Sequence, residues 1–295
     1  MGVRTNSRGV GYLFIAPAFV HLLIFAIIPI AYAFYLSLHD WKILRGDFRF
    51  VGIENYTRTF GDGGFWNAMG NTAQYVLWSV PLGMVVALLV AILVAQRLRG
   101  VTVFRTLFYI PAISSGVAIS MLWIYVYLPD KGLINATTAL FGFESVDFLN
   151  QTAWAMPALI FMSIWTGLGP RMIIYLAGLL GIPQTLYEAA ELDGATGWRA
   201  MRHITLPMLV PTTMFVLITS TIGAFQVFTP IYMMTKGEPE ASTDVVGYHI
   251  YREAWIKFDI GSAAAQSFTL LLITALVSYA QYRIMKGRLA GYSTT

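Results

Sequence analysis

Long apolar runs separated by polar breaks dominate the chain. Six of them, near Tyr12–Leu38, Thr72–Gln96, Leu107–Leu128, Ala155–Leu180, Met208–Met234 and Ala263–Ile284, are long enough to cross a bilayer. A crossing takes roughly 20 residues at about 1.5 Å per residue. Five of the runs contain prolines, among them Pro17, Pro29, Pro81, Pro111, Pro157, Pro170, Pro211 and Pro230. Neighbouring helices can satisfy the carbonyls a proline frees, so these positions predict kinks rather than breaks. Arg4, Arg8, the first run and Ala31-Tyr32-Ala33 imitate a cleaved signal peptide. An h-region of about 7–15 residues is far shorter than this run, so an uncleaved first helix is expected.

Between the fourth and fifth runs the pattern changes to an amphipathic one, from Ile182 to Leu209. Leu186, Ala189 and Ala190 fall at i, i+3, i+4, with Glu188 and Glu191 as an acidic edge. Pro183 suits a first helical turn and Gly194 a C′ position. A second short helix is expected from Ala195 to Ile204, carrying Ala195, Trp198 and Met201 on one face, with Pro207 closing it or opening the next. On spacing alone this is equally an interfacial amphipathic hairpin.

Composition agrees with the pattern. Of 295 residues, 57 % are hydrophobic and only 12 % charged, about half the usual charged share. With no cysteine there is no disulfide framework and no thiol chemistry. The net charge of +4 is too small and dispersed for nucleic acid; here Lys and Arg are topology signals. With the N-terminus inside, inner segments hold ten (Arg4, Arg8, Arg97, Arg99, Arg105, Arg199, Arg202, Arg283, Lys286, Arg288) and the longer outer loops eight. This predicts both termini on the cytoplasmic side, and the 182–209 segment with them.

Enzymatic chemistry has little to stand on. There is no phosphate loop of the G-x-x-x-x-G-K-[ST] type, no H-E-x-x-H and no G-x-S-x-G, and the four histidines are scattered. No catalytic and no metal-binding residue is expected. Arg171, in Trp165-Thr166-Gly167-Leu168-Gly169-Pro170-Arg171, is the one charge placed inside a run. Such a residue faces the protein interior or water and serves function by default, or else it satisfies carbonyls freed by the Gly-Pro break or snorkels. Ala224-Phe225-Gln226-Val227-Phe228 is a second polar break, whose aromatics and amide suit a sugar or simply pack. The candidate solute path is therefore Arg171, Trp165, Phe225, Gln226 and Phe228.

The residues Glu188-Ala189-Ala190, Asp193-Gly194-Ala195, Trp198, Ile204 and Leu206-Pro207 resemble the EAA loop of binding-protein-dependent ABC importer permeases, in its sugar-importer form. Met201 stands where that pattern usually has Phe. Phe50-Val51-Gly52, Asn55-Tyr56, Phe60 and Asn71-Thr72 resemble the first outer loop of the same family, and Leu176-Ala177-Gly178 with Ile182-Pro183 a further part of it. In the fifth run Thr229 replaces the family's usual Asp, and Lys236-Gly237-Glu238-Pro239 stands for Gly-Gly-Pro.

The resemblance implies an all-α, polytopic type I importer permease in a bacterial-type inner membrane. Its parts would be a cytoplasmic N-terminus over 1–11, a six-helix domain over 12–286 with a coupling loop at 182–207, and a cytoplasmic tail over 287–295. Glu188, Ala189, Ala190, Asp193, Gly194, Ile204, Leu206 and Pro207 would couple it to an ATPase. It further implies a second homologous permease subunit, two ATPase subunits carrying ATP and Mg, and an external binding protein, with no cofactor on this chain. The implied cargo is a carbohydrate or polyol phosphate. The alternatives are an importer for another small polar solute and a secondary transporter. The latter predicts acids inside the spans, which hold none.

Overall fold

The computed structural model describes residues 7–96 and 100–289, with side chains over 12–96 and 100–286. Arg4, Arg97 and Arg99, used above for orientation, lie outside the described residues, as do 290–295 of the tail; the side chains of Arg8 and Arg288 lie outside them too.

Among the described residues, three helices are long and apolar enough to cross a membrane alone: α1 (Tyr12–Ser37), α3 (Gly63–Ala95) and the last, α13 (Ile260–Leu289), apolar over Ile260–Lys286. Three bent pairs meet the same test, one crossing each: α4 (Val101–Ile113) with α5 (Gly116–Val126) at 103°, α7 (Thr152–Thr166) with α8 (Leu168–Leu180) at 46°, and α10 (Trp198–Met208) with α11 (Val210–Phe225) at 62°. Six crossings follow when each pair counts as one.

The bends correct the expectation of proline kinks. Between α4 and α5 the helix breaks outright, because Ser114 and Ser115 are extended (ψ 152° and 132°) and the Ser114 hydroxyl takes the Ile110 carbonyl at 2.9 Å. Pro170 and Pro211 each lie a few residues past a bend, at Gly167 and Leu209. Each removes the N–H that would have bridged the bend. Pro81, by contrast, sits inside the unbroken α3, so a missing N–H alone does not bend a helix here. Two spans also differ in extent. α3 starts nine residues before Thr72, and the fifth crossing ends at Phe225 rather than Met234. Residues 226–228 are non-helical or turn, and a π turn follows at Ile231–Thr235.

The chain divides into two compact units. The first comprises Met1–Gly63 and Ile250–Leu271. It contains α1, a two-stranded antiparallel hairpin of β1 (His39–Lys42) and β2 (Asp47–Phe50), and α2 (Glu54–Gly61). The hairpin was not expected; neither HDWK nor DFRF has the β-branched alternation that marks a strand. Fully buried Asn55 holds this unit together, its Nδ2 donating to the carbonyls of Ser37 and His39, both at 2.9 Å. Beside it the Tyr56 and Ser37 hydroxyls meet at 2.7 Å. Asp259 lies 3.8 Å from Lys42 Nζ and 3.7 Å from an Arg58 Nη.

The second unit, Gly64–His249 and Leu272–Thr295, contains α3 to α11 (α6 Leu133–Ala139, α9 Gln184–Leu192), most of α12 (Val246–Tyr251) and the end of α13. Glycines set its closest contacts. A Cβ on Gly169 would lie 2.4 Å from the Phe108 carbonyl oxygen, so α8 meets α4 backbone to backbone. A Cβ on Gly178 would lie 2.5 Å from Thr212 Oγ1 on α11. Around Trp123 the core closes with Ile119, Tyr127, Ala158 and Met162, and Tyr127 donates to the Ala158 carbonyl at 2.8 Å. Asn71 Nδ2 donates to the carbonyls of Ala241 and Asp244, and Thr72 Oγ1 accepts from the Val246 amide.

Candidate functional site

The second unit holds two features with chemistry to offer. The first is the segment between α8 and α11. Helix α9 runs from Gln184 to Leu192, with Pro183 as its N-cap (ψ 129°) rather than inside the first turn. It ends in a Schellman motif. The Ala195 amide donates to the Ala190 carbonyl at 2.8 Å and the Gly194 amide to Glu191 at 3.0 Å, with Gly194 at φ +72°. Gly197 then takes φ +54°. The second helix therefore starts at Trp198, three residues later than expected, because Ala195-Thr196-Gly197 is spent on the turn. It does not stand alone either, since it runs through a π turn at Met201–Thr205 into the fifth crossing.

The buried side of α9 is Tyr187 and Ala190, not the expected Leu186–Ala189–Ala190 face. Ala190 is buried while Leu186 and Ala189 are exposed, and the Tyr187 hydroxyl meets Thr205 Oγ1 at 2.8 Å. Glu188, Ala189, Asp193 and Gly194 are exposed; Leu206 is also exposed, and Ile204 and Pro207 are half-buried. Two large apolar side chains stand fully out, Leu192 at 91 % and Trp198 at 72 % exposure. Glu188, Ala189, Asp193, Leu192 and Trp198 thus all lie on the exposed surface of one bracket, which suits contact with another protein.

The second feature is a cavity of about 410 Å³. Its walls come from α3 (Tyr75, Ser79), α5, α7 and α8 (Ser163, Thr166, Gly167, Arg171) and α11 (Thr219, Ser220, Gly223). Arg171 is half-buried, and its Nε donates to Ser220 Oγ at 3.1 Å. Its Nη1 is buried without a hydrogen-bond partner. That nitrogen packs on Gly83, where a Cβ would lie 2.2 Å away, and a Cβ on Gly167 would lie 2.9 Å from it. Glycine at both positions makes room for the guanidinium.

Of the five path residues named from sequence, Arg171 lines this cavity and the other four do not. Trp165 packs edge-on against Trp123, 5.5 Å between centroids. Phe228 stacks on Tyr232 at 5.4 Å. Phe225 is buried and Gln226 exposed. Gly83, Ser79 and Ser220 were missed. The signal for the first two was Ser79 and Gly83 at i, i+4, which share one face of α3.

A multi-pass helical protein with an exposed amphipathic bracket and a cavity that holds an arginine among hydroxyls has the build of a transporter subunit. Residues 64–289 match the family described as "Binding-protein-dependent transport system inner membrane component", and the chain belongs to that family. It is a permease subunit of an ABC importer, embedded as a multi-pass protein in the inner membrane. It is 35 % identical to the probable ABC transporter permease protein YesP of Bacillus subtilis, over 91 % of this chain and 87 % of the relative. It is 34 % identical to the lactose transport system permease protein LacF of Rhizobium radiobacter, over 94 % of each. It is 31 % identical to the sn-glycerol-3-phosphate transport system permease protein UgpA of Escherichia coli, over 96 % of each. Among solved structures, a chain of the bacterial alginate ABC transporter in complex with alginate pentasaccharide-bound periplasmic protein superposes with a TM-score of 0.81 at 25 % identity, over 95 % of this chain and 94 % of that one.

Proposed function

We propose that this chain forms one half of the membrane path of an ATP-driven importer for a carbohydrate or a polyol phosphate handed over by an external binding protein. The observation that carries this is the 410 Å³ cavity, into whose largely apolar wall the Arg171 guanidinium and serine, threonine and tyrosine hydroxyls are set. It has the size and the hydrogen-bonding groups for a polyhydroxylated solute. The relatives named for lactose and sn-glycerol-3-phosphate transport support the same class.

In this reading the chain hydrolyses nothing and binds no cofactor; ATP and Mg belong to two ATPase subunits. A second homologous permease completes the path. Both termini face the cytoplasm, a reading the Lys/Arg balance supports, so the 182–207 loop meets the ATPase. Glu188, Ala189, Ala190, Asp193, Gly194, Ile204, Leu206 and Pro207 make or shape that contact. Closure of the ATPase pair on ATP moves the loop, and the crossings alternate between outward-open and inward-open.

The test is purification of the tagged chain from its own membranes. A second permease and an ATPase should come with it, and loaded binding protein should stimulate ATP hydrolysis in reconstituted vesicles. Glu188→Lys should lower that stimulation while leaving the complex intact. A cytoplasm-only reporter fused at the C-terminus should be active and one after Gly237 silent. Recovery of the chain alone would defeat the reading, and the reverse reporter pattern would defeat its orientation.

A further inference from the structure

We infer that the cavity selects an anionic solute, a carbohydrate-sized molecule carrying a carboxylate or a phosphate, and that Arg171 is the residue that reads the charge. The inference rests on the reading of the cavity as the solute path and narrows it from any polyol to a charged one.

The cavity contains a cation without a counter-ion. No Asp or Glu is among its lining residues, and Arg171 makes no ion pair with any described residue. A guanidinium stays charged in proteins. Its one side-chain hydrogen bond is Nε to the neutral Ser220 hydroxyl, which uses one of five donors and cancels no charge. A cation held this way within a membrane crossing is costly, and hydroxyls alone would serve a neutral sugar. A charge kept at that cost matches a solute that brings the opposite one.

Nor is the side chain turned away to relieve the cost. Snorkelling needs the tip to reach the interface. Here Ser220 holds Nε toward α11, and the tip lies over Gly83 and Gly167, two positions where a methyl group would collide with it. Three crossings thus shape one guanidinium-sized seat. Ser79, one turn from Gly83 on the same helix, adds a buried hydroxyl that also lacks a partner. A planar fork with a nearby hydroxyl is the donor set for an oxyanion.

The experiment uses the intact purified complex and phenylglyoxal, which modifies accessible arginines, with the extent at Arg171 read by peptide mass spectrometry. Galacturonate and glycerol 3-phosphate are the anionic probes; galactose and glycerol are their neutral counterparts. At least one anion should slow modification of Arg171 by about tenfold, the weight of a charge-assisted bond pair, and the two anions separate carboxylate from phosphate. The neutral probes should leave the rate unchanged. Arg171→Met should abolish vesicle uptake of the protecting anion while keeping the complex together, and Arg171→Lys should restore part of it, since Lys keeps the charge without the fork. Gly83→Ala displaces only the flexible end of Arg171 and should weaken anion protection without loss of complex.

Equal protection by the neutral probes, protection by none, or an Arg171 inert to the reagent without any probe would each overturn the inference. So would loss of the second permease from the Arg171→Met complex, because Arg171 would then be a subunit contact. Uptake of neutral carbohydrate that is the same in wild type and Arg171→Met would overturn it while leaving the proposed function standing.

Discussion

The 182–207 bracket and the Arg171 cavity are both unfinished surfaces, but they are unfinished in opposite directions. The bracket turns apolar area outward: Leu192 and Trp198 stand in solvent beside Glu188 and Asp193. It is nonetheless tied down, its backbone by the Schellman bonds at Gly194 and its side chains by the Tyr187–Thr205 hydrogen bond. The cavity holds polar groups inside, with Arg171 Nη1 and the Ser79 hydroxyl lacking hydrogen-bond partners among the described residues, while the helices around it pack closely at Gly169 and Gly178. A rigid frame with exposed apolar side chains calls for a protein surface. A packed frame with unmet hydrogen bonds calls for a small polar molecule.

This contrast can be broken from either side. The largest effect is expected from Gly169→Ala. The new methyl would meet the Phe108 carbonyl oxygen at 2.4 Å and the Tyr109 Cα at 2.7 Å, backbone atoms that cannot rotate away. Overpacking of this kind costs about 1–3 kcal/mol. The melting temperature of the detergent-solubilised complex should fall by several degrees, and cavity-dependent uptake with it. An unchanged melting curve would mean that α4 and α8 are not held at that distance.

Gly194→Val comes next. No atom lies within 4 Å of the new Cβ, so only the φ of +72° opposes it, at about 1–2 kcal/mol. Global stability should therefore hold while solute moved per ATP hydrolysed falls several-fold. Normal coupling in this variant would detach the bracket from the ATPase. The smallest effect is expected from Tyr187→Phe, which removes one hydrogen bond worth about 1 kcal/mol. Hydrogen exchange over residues 184–192 should quicken roughly fivefold, with uptake nearly unchanged. Slower uptake with unaltered exchange would show that the hydroxyl acts elsewhere.

What could be read from sequence follows the same division. The bracket was legible through a glycine where φ must be positive and through the resemblance of its Glu188-Ala189-Ala190 run to the EAA loop; Pro207 does not close the second helix but lies inside α10. The start of its second helix was not, because Ala195 is a good helix former and nothing local says that Gly197 would take φ +54°. Arg171 was conspicuous as a charge in an apolar run. Its seat was not, since Gly83 and Ser220 are unremarked residues of membrane helices until α3, α8 and α11 bring them together. The aromatics misled for a related reason. Phe228 and Trp165 fit a sugar by type, but their partners Tyr232 and Trp123 come from tertiary packing. Prolines were half-informative: Pro170 and Pro211 accompany bends and Pro81 does not.

The route of the chain around Arg171 has one further consequence. Arg171 stands on α8 and its hydrogen-bond partner Ser220 on α11, and these two helices are the arms that the 182–207 bracket joins. Only Gly181, Ile182 and Pro183 separate α8 from α9, and α10 runs on into α11 across the bend at Leu209. The arrangement is that of a pair of tongs, with the bracket as the handle and the 3.1 Å bond between the jaws. In the proposed mechanism, movement of the handle would change the gap that Arg171 and Ser220 span, and a few tenths of an ångström would be enough to break their bond. On that proposal, grip on the cargo and pressure on the handle would be one variable.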